Sequence, residues 1–377
     1  MRQVFLTANN IISPLGLTSD QNIAEVAREK SGISQHTDSK ILPVPFCASI
    51  INNEVLDTAF AEIGNATQYT KLEKMMLLSL RDTMEQANFS ISEKTALIVA
   101  TTKGNIDALG NDFPSERAYL PVLGEVVQTF FGFKNEPIVV SNACVSGLLA
   151  IAIAKRLIQN EFYENAFIVA GDIVSKFTLS GFNAFQAISD TPCRPYSKNR
   201  NGITIGEAAA SAAITSQKTI DAIEIAGDGS SNDANHISGP SRTGEGLYNC
   251  VQSAMREAQM ISEDIDLISA HGTATLYNDE MEAIAFNRSK LEETPLHSLK
   301  GYYGHTLGAS GLLEAIVGVH AMKNNTYYTS LGMDELGVSK PLQVITQVGS
   351  GNIRTCLKTA SGFGGCNTAV VFKKSED

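Results

Sequence analysis

Three residues stand where chain geometry would give them chemistry. Cys144 lies in Ile138-Val-Val-Ser-Asn-Ala-Cys144-Val-Ser-Gly147, a β-branched run and a polar turn that lead into the helix-forming stretch Leu148–Ile158. A thiol at a helix entrance faces unpaired N–H groups and the positive end of the dipole, which favours thiolate and predicts a lowered pKa. His271, in Ser269-Ala-His271-Gly-Thr-Ala-Thr275, directly follows an apolar run. His305, in Lys300-Gly-Tyr-Tyr-Gly304-His305-Thr-Leu-Gly308-Ala-Ser-Gly311, sits at another strand-to-helix junction. Singly, each has an ordinary reading: a small cysteine filling a tight turn, histidines bonded to backbone, glycines marking turns. Together with the turn Gly362-Phe363-Gly364-Gly365 they supply a nucleophile, imidazole donors or bases, and backbone N–H groups for an oxyanion.

These residues need an alternating scaffold, and hydrophobic periodicity supplies one. Residues 3–6 read as an edge strand. Tyr69–Ala87 reads as a helix, with Leu72, Met75, Met76, Leu80 and Met84 as its packing stripe. Strands follow at 95–100, 138–141 and 166–172, and the loop after the first, Thr101-Thr-Lys103-Gly-Asn, matches no phosphate-binding pattern and reads as a plain turn. A long loop at 189–206 precedes a small-residue strand at 207–215. The second half repeats the alternation: strand 221–227, loop 227–235, helix 246–259, strand 265–270, helix 278–288, strand 296–299, helix 304–319, and strands near 352–359 and 367–372. The expected class is α/β, in two halves, 1–216 and 217–377, although no residue-level repeat is visible. Parallel units of this kind carry their chemistry at the carboxyl ends of strands.

Composition narrows the function. A net charge of −11 provides no basic field for nucleic acid. No run reaches the roughly 18 apolar residues that span a membrane, and no signal peptide is recognisable at the N-terminus. The six cysteines form neither a disulfide framework nor a Cys-x-x-Cys metal pair, so a reducing cytoplasm is expected. No metal or organic cofactor is indicated.

Taken together, the motifs resemble those of the elongating, type II β-ketoacyl-acyl carrier protein synthases of the thiolase superfamily. The resemblance runs from Ser13-Pro-Leu-Gly16 through Ala-Cys144-x-Ser-Gly, Pro195-Tyr-Ser-x-Asn-Arg-x-Gly202, Gly206-Glu207, His271-Gly-Thr-x-Thr, Asn278-Asp279 and Lys300-x-x-x-Gly304-His305 to Gly362-Phe363-Gly-Gly-x-Asn367. It implies a thiolase-like fold of two similar halves layered α/β/α/β/α. It also implies a decarboxylative Claisen condensation of an acyl thioester with malonyl-acyl carrier protein, in fatty acid or polyketide and polyene synthesis. Cys144 would accept the acyl group, His271 and His305 would donate to the malonyl thioester oxygen, and Lys300 would orient the site through Glu314. The backbone N–H groups of Cys144 and Phe363 would form the oxyanion hole, and Phe363, with Gly364 in the same turn, would gate the acyl tunnel. The implied partners are an acyl carrier protein, whose phosphopantetheine arm enters as substrate, and a second subunit in a homodimer.

Asn142, Val145 and Ser361 depart from the residues usual in that family, which places the expected differences in the acyl pocket. The chain is also shorter than typical members around 101–118. Two alternatives stay open: a ketosynthase subunit that works only beside a chain-length partner, and a thiolase. The latter would need a second cysteine in a Cys-x-Gly turn, whereas Cys366 follows the glycine pair.

Overall fold

The computed structural model describes residues 2–110, 113–233 and 238–375. Its main sheet is one five-stranded pattern used twice. The first half holds β1 (Phe5–Ile12), β2 (Thr95–Ala100), β3 (Ile138–Val140), β4 (Asn165–Asp172) and β5 (Ala208–Thr215). The second holds β6 (Ile223–Asn232), β7 (Leu267–Ser269), β8 (Leu296–His297), β9 (Thr355–Gly362) and β10 (Cys366–Lys374). Across the sheet they run β8-β7-β9-β10-β6-β1-β5-β4-β2-β3. Counted from each half's first strand, the order is third, second, fourth, fifth, first in both. In each half the second strand is parallel to the third and fourth, and the fifth runs antiparallel to the fourth. The halves join where β1 pairs with β6 through Phe5–Glu224 and Leu6–Ile223.

Period-two alternation along the strands separates the layers. Ile98, Ala100, Ile168 and Ala170 face inward onto α2 (Ser146–Gln159) and α6 (Ser310–Asn324), the two central helices. Leu97, Val99, Phe167 and Val169 face outward onto α1 (Lys71–Gln86). The second half is covered outside by α4 (Glu245–Glu257), which packs on β6, β9 and β10. These are the five layers of the thiolase-like arrangement. Helix α1 starts at a capping box between Thr70 and Glu73 and buries Leu72, Met75, Met76 and Leu80, with Met84 half-buried.

Helices α2 and α6 both begin Ser-Gly-Leu-Leu, at 146–149 and 310–313, a short residue-level repeat that corrects the expectation of none. The reason is steric. A Cβ on Gly147 would lie 2.7 Å from the Gly308 carbonyl oxygen, and one on Gly311 would lie 2.6 Å from the Leu148 amide nitrogen.

Three local expectations are corrected. β1 is a central strand, flanked by β5 and β6. The segment read as a loop from 227 belongs to β6 as far as Asn232, and residues 234–235 lie outside the described residues. Its glycines signal close approach to α4, since a Cβ on Gly227 or Gly229 would meet the Ala254 or Cys250 carbonyl oxygen at 2.1 or 2.2 Å. The last core helix starts at Ser310 rather than at 304, because Lys300–Tyr303 forms its own single turn.

Candidate active site

The carboxyl ends of the parallel strands converge on one point. Cys144 follows β3, His271 follows β7, Lys300 and His305 follow β8, and Phe363 occupies the β9–β10 hairpin. Ala143 takes a left-handed φ of 45°, a strained value for a residue with a Cβ, and this sharp turn presents the cysteine just before α2. The Sγ of Cys144 lies 3.1 Å from His305 Nε2. The two imidazoles meet nearly edge to face, centroids 5.2 Å apart, and the sulfur and one nitrogen from each ring lie within 4.8 Å of one another. A thiolate with two imidazoles is a donor set that soft divalent ions accept. Here two lysine charges act on both rings, and they oppose a divalent cation.

The tautomer of His305 follows from its surroundings. Nδ1 accepts the Leu307 amide N–H at 3.2 Å, so the ring proton belongs on Nε2 and points at the sulfur. His305 is therefore set as a donor. Neither ring nitrogen of His271 has a hydrogen-bond partner among the described residues, and its Nδ1 is fully buried. Burial first, then the Lys300 charge, holds both histidines well below the usual imidazole range, so both stay neutral. Cys144 departs from expectation in the opposite direction. Burial pushes its thiol up to about 12, and the nearby charges of Lys103 and Lys300 oppose this without reversing it. At this buried position desolvation outweighs the helix entrance.

Behind the histidines lies a buried cluster of two cations and one anion. Lys300 Nζ binds Glu314 Oε1 at 2.6 Å and the His271 carbonyl oxygen at 2.7 Å. Lys358 Nζ, from β9, binds Glu314 Oε2 at 2.7 Å and the carbonyl oxygens of Ser269 and Ala270, each at 3.1 Å. Both lysines are fully buried. Burial opposes ionisation of Glu314, yet the paired lysines outweigh it and hold the carboxyl below its usual range. Lys300 and Glu314 thus meet as predicted, whereas Lys358 went unrecognised.

Two further carboxylates also escaped the sequence reading. Glu282, on α5 (Leu276–Arg288), accepts the amides of His271 and Gly272 at 2.8 and 2.7 Å and braces that loop. Asp172, ending β4, accepts Thr101 Oγ1, the Thr102 amide and hydroxyl, and the Gly308 amide. The loop predicted as a plain turn after β2 is therefore tied into the site. Sequence offered little signal for either, beyond acidic residues in otherwise apolar surroundings.

Two cavities open from Cys144. One, of about 480 Å³, is lined by His271, His305, Thr273, Thr275 and Phe363. The other, about 210 Å³, is lined by Lys103, by Phe182 on α3 (Lys176–Ala184), and by Phe185, Leu307 and Phe363. Ser361 borders the first and not the second. Asn142 and Val145 border neither: Asn142 is exposed on the turn and Val145 is fully buried in the central core. Gly364 is exposed, its carbonyl oxygen accepting from Asn232. Gly362 sets the hairpin against the nucleophile, since a Cβ there would lie 3.0 Å from the Cys144 amide nitrogen. Cys366 is buried, its Sγ 3.3 Å from the Phe363 carbonyl oxygen.

A cysteine and two neutral imidazoles at the strand ends of a duplicated thiolase-like fold define an acyl-transfer enzyme that works through a thioester. The chain belongs to the β-ketoacyl synthase family. The model of the "Beta-ketoacyl synthase, N-terminal domain" matches residues 1–219 and that of the C-terminal domain matches residues 222–334. Among relatives, the chain is 27% identical over 416 residues to a 3-oxoacyl-[acyl-carrier-protein] synthase 2 from Coxiella burnetii, covering 100% of this chain and 99% of that one. It is 34% identical over 255 residues to the protein of that name from Rhizobium meliloti, covering 62% of this chain and 60% of the other. Among solved structures, a ketosynthase in complex with its chain length factor from Xenorhabdus doucetiae shares the fold with a TM-score of 0.90, at 23% identity over 99% of this chain and 98% of that one. Among the described residues, no helix is long and apolar enough to cross a membrane.

Proposed function

We propose that this chain is a 3-oxoacyl-acyl carrier protein synthase acting by decarboxylative Claisen condensation. The observation that carries the reading is the Cys144–His305 contact with the ring proton held on Nε2, which sets a hydrogen-bond donor beside a nucleophilic sulfur. Cys144 Sγ attacks the carbonyl carbon of an acyl thioester, and the carrier leaves as its thiol with the sulfur's proton. The amides of Cys144 and Phe363 stabilise the oxyanion of this step. The malonyl thioester then takes the cavity that holds both histidines. As its C–C bond breaks and carbon dioxide leaves, negative charge develops on the thioester oxygen, where His271 and His305 donate. The enolate carbon attacks the acyl-cysteine, the new C–C bond forms, the C–S bond breaks, and the thiolate is regenerated. Neutral imidazoles suit this role because they donate without adding a proton to the enolate. Lys300 and Glu314 hold the His271 loop in place.

The same reading includes an acyl carrier protein as partner, its phosphopantetheine arm as substrate rather than a resident cofactor, a cytoplasmic location and a homodimer. A second reading, a ketosynthase that works beside a chain-length partner, is favoured by the exposed Phe177 and Phe185 at the smaller cavity of Cys144, an apolar rim that a neighbouring subunit would cover. Incubation with an acyl-carrier thioester followed by mass spectrometry tests the chemistry. An acyl adduct on Cys144 that malonyl-carrier then discharges with release of carbon dioxide supports it, and no adduct overturns it. Light scattering of the chain alone separates the homodimer from a protein that needs a different subunit.

A further inference from the structure

The two cavities meet at Cys144 and share the rings of Phe182, Phe185 and Phe363. The larger contains both histidines, so under the reading above it takes the malonyl thioester, and the chain carried by the cysteine turns into the smaller one. That cavity has a mostly aromatic and aliphatic wall from Phe182, Phe185, Leu307 and Phe363, yet Lys103 also lines it. Lys103 follows β2 as His271 follows β7, so the duplicated fold brings a cation to Cys144 from one half and an imidazole from the other.

The ammonium is under-used. It has three donors; one goes to the hydroxyl of neighbouring Thr102. That hydroxyl itself donates to Asp172 Oδ2 at 2.9 Å, and the two oxygens of this carboxylate also accept from Thr101 Oγ1 and from the Thr102 and Gly308 amides. Lys103 makes no ion pair among the described residues. Its methylene stem suits an apolar wall, while its head needs an acceptor or water. A saturated chain filling the cavity of about 210 Å³ displaces that water and returns no acceptor. Stripping a polar group of its partners is the larger penalty in such discrimination, exceeding the gain from one more methylene.

We infer that Lys103 is a specificity-determining residue that favours acyl chains carrying an oxygen acceptor beyond the thioester, as a hydroxyl, keto or carboxylate group, over plain alkyl chains. The proposal rests on the condensing reading, because it assigns the smaller cavity to the cysteine-bound chain.

The test is the rate of Cys144 acylation, followed by mass spectrometry, with hexanoyl-, ω-hydroxyhexanoyl- and adipoyl-carrier thioesters. The wild-type chain is expected to prefer at least one oxygen-bearing chain over hexanoyl by about tenfold or more, and the hydroxyl and carboxylate arms tell which acceptor is read. Lys103→Met is expected to raise the hexanoyl rate, lower the others and bring the ratio close to one, while Lys103→Arg keeps the preference. A general effect of the charge on the thiol would move all three rates together. That result, or a preference that survives Lys103→Met, overturns the inference while leaving the condensing reading intact. Absence of acylation by every thioester overturns both.

Discussion

The two halves of the molecule share one strand order but divide the chemistry. In the first half, the junction after the third strand ends in Cys144 and the loop after the second carries Lys103. In the second half, the same two places supply His305 and His271. Both halves then launch a central helix with Ser-Gly-Leu-Leu, but the next residue is Ala150 in one and Glu314 in the other. The shared strand order fixes where these groups meet, and in the reaction proposed above one half holds the acyl group while the other stabilises the enolate.

That division can be broken from either side. Cys144→Ala should have the largest effect, lowering condensation by about a thousandfold or more and abolishing the covalent adduct. Measured product without an adduct would place the nucleophile elsewhere. His271→Ala and His305→Ala should each cost about a hundred- to a thousandfold in condensation. The sharper expectation concerns the split: in His271→Ala, acylation of Cys144 persists while carbon dioxide release from malonyl-carrier falls.

Lys358→Met sharpens the comparison through pH. Its charge is one of the influences that keep both imidazoles neutral, with burial and Lys300 as the larger ones. Removing it raises both imidazole pKa values. The neutral fraction is then lost at higher pH than in the wild type, and the acid limb of the condensation profile moves upward. An unmoved acid limb would make Lys358 a merely structural residue. The smallest effect is on stability and should be alike in the two halves. Gly147→Ala and Gly311→Ala each force the central helices apart and cost about 1–3 kcal/mol, read by denaturant unfolding. A tolerated substitution at one and not the other would show that the crossing is less symmetric than the contacts indicate.

The meeting of Cys144, His271 and His305 was legible because their types are rare and their places, after buried strands, are recognisable. Lys300 and Glu314 were legible only through the family resemblance. Lys358, Glu282 and Asp172 were not, since a charge inside a strand or helix announces burial only once its distant partner is known. Asp172 and Gly308 are 136 residues apart in sequence. The acyl-pocket expectations for Asn142 and Val145 failed for a related reason: adjacency to Cys144 in the chain says nothing about direction, and the left-handed turn at Ala143 sends them elsewhere. β1 passed for an edge because its position depends on β6, which lies more than two hundred residues downstream.

The seam between β1 and β6, with a single apolar core running through α2 and α6 beneath it, has a dynamic consequence. Swinging the halves apart would tear backbone bonds and wet the centre of the molecule, so a microsecond-to-millisecond hinge is not available to admit substrate. Access to Cys144 has to come from smaller and faster parts. The Phe363 ring, edged against Phe185 and tilted on Phe182, borders both cavities. Its rotation is the motion whose rate should set how quickly the sulfur can be reached.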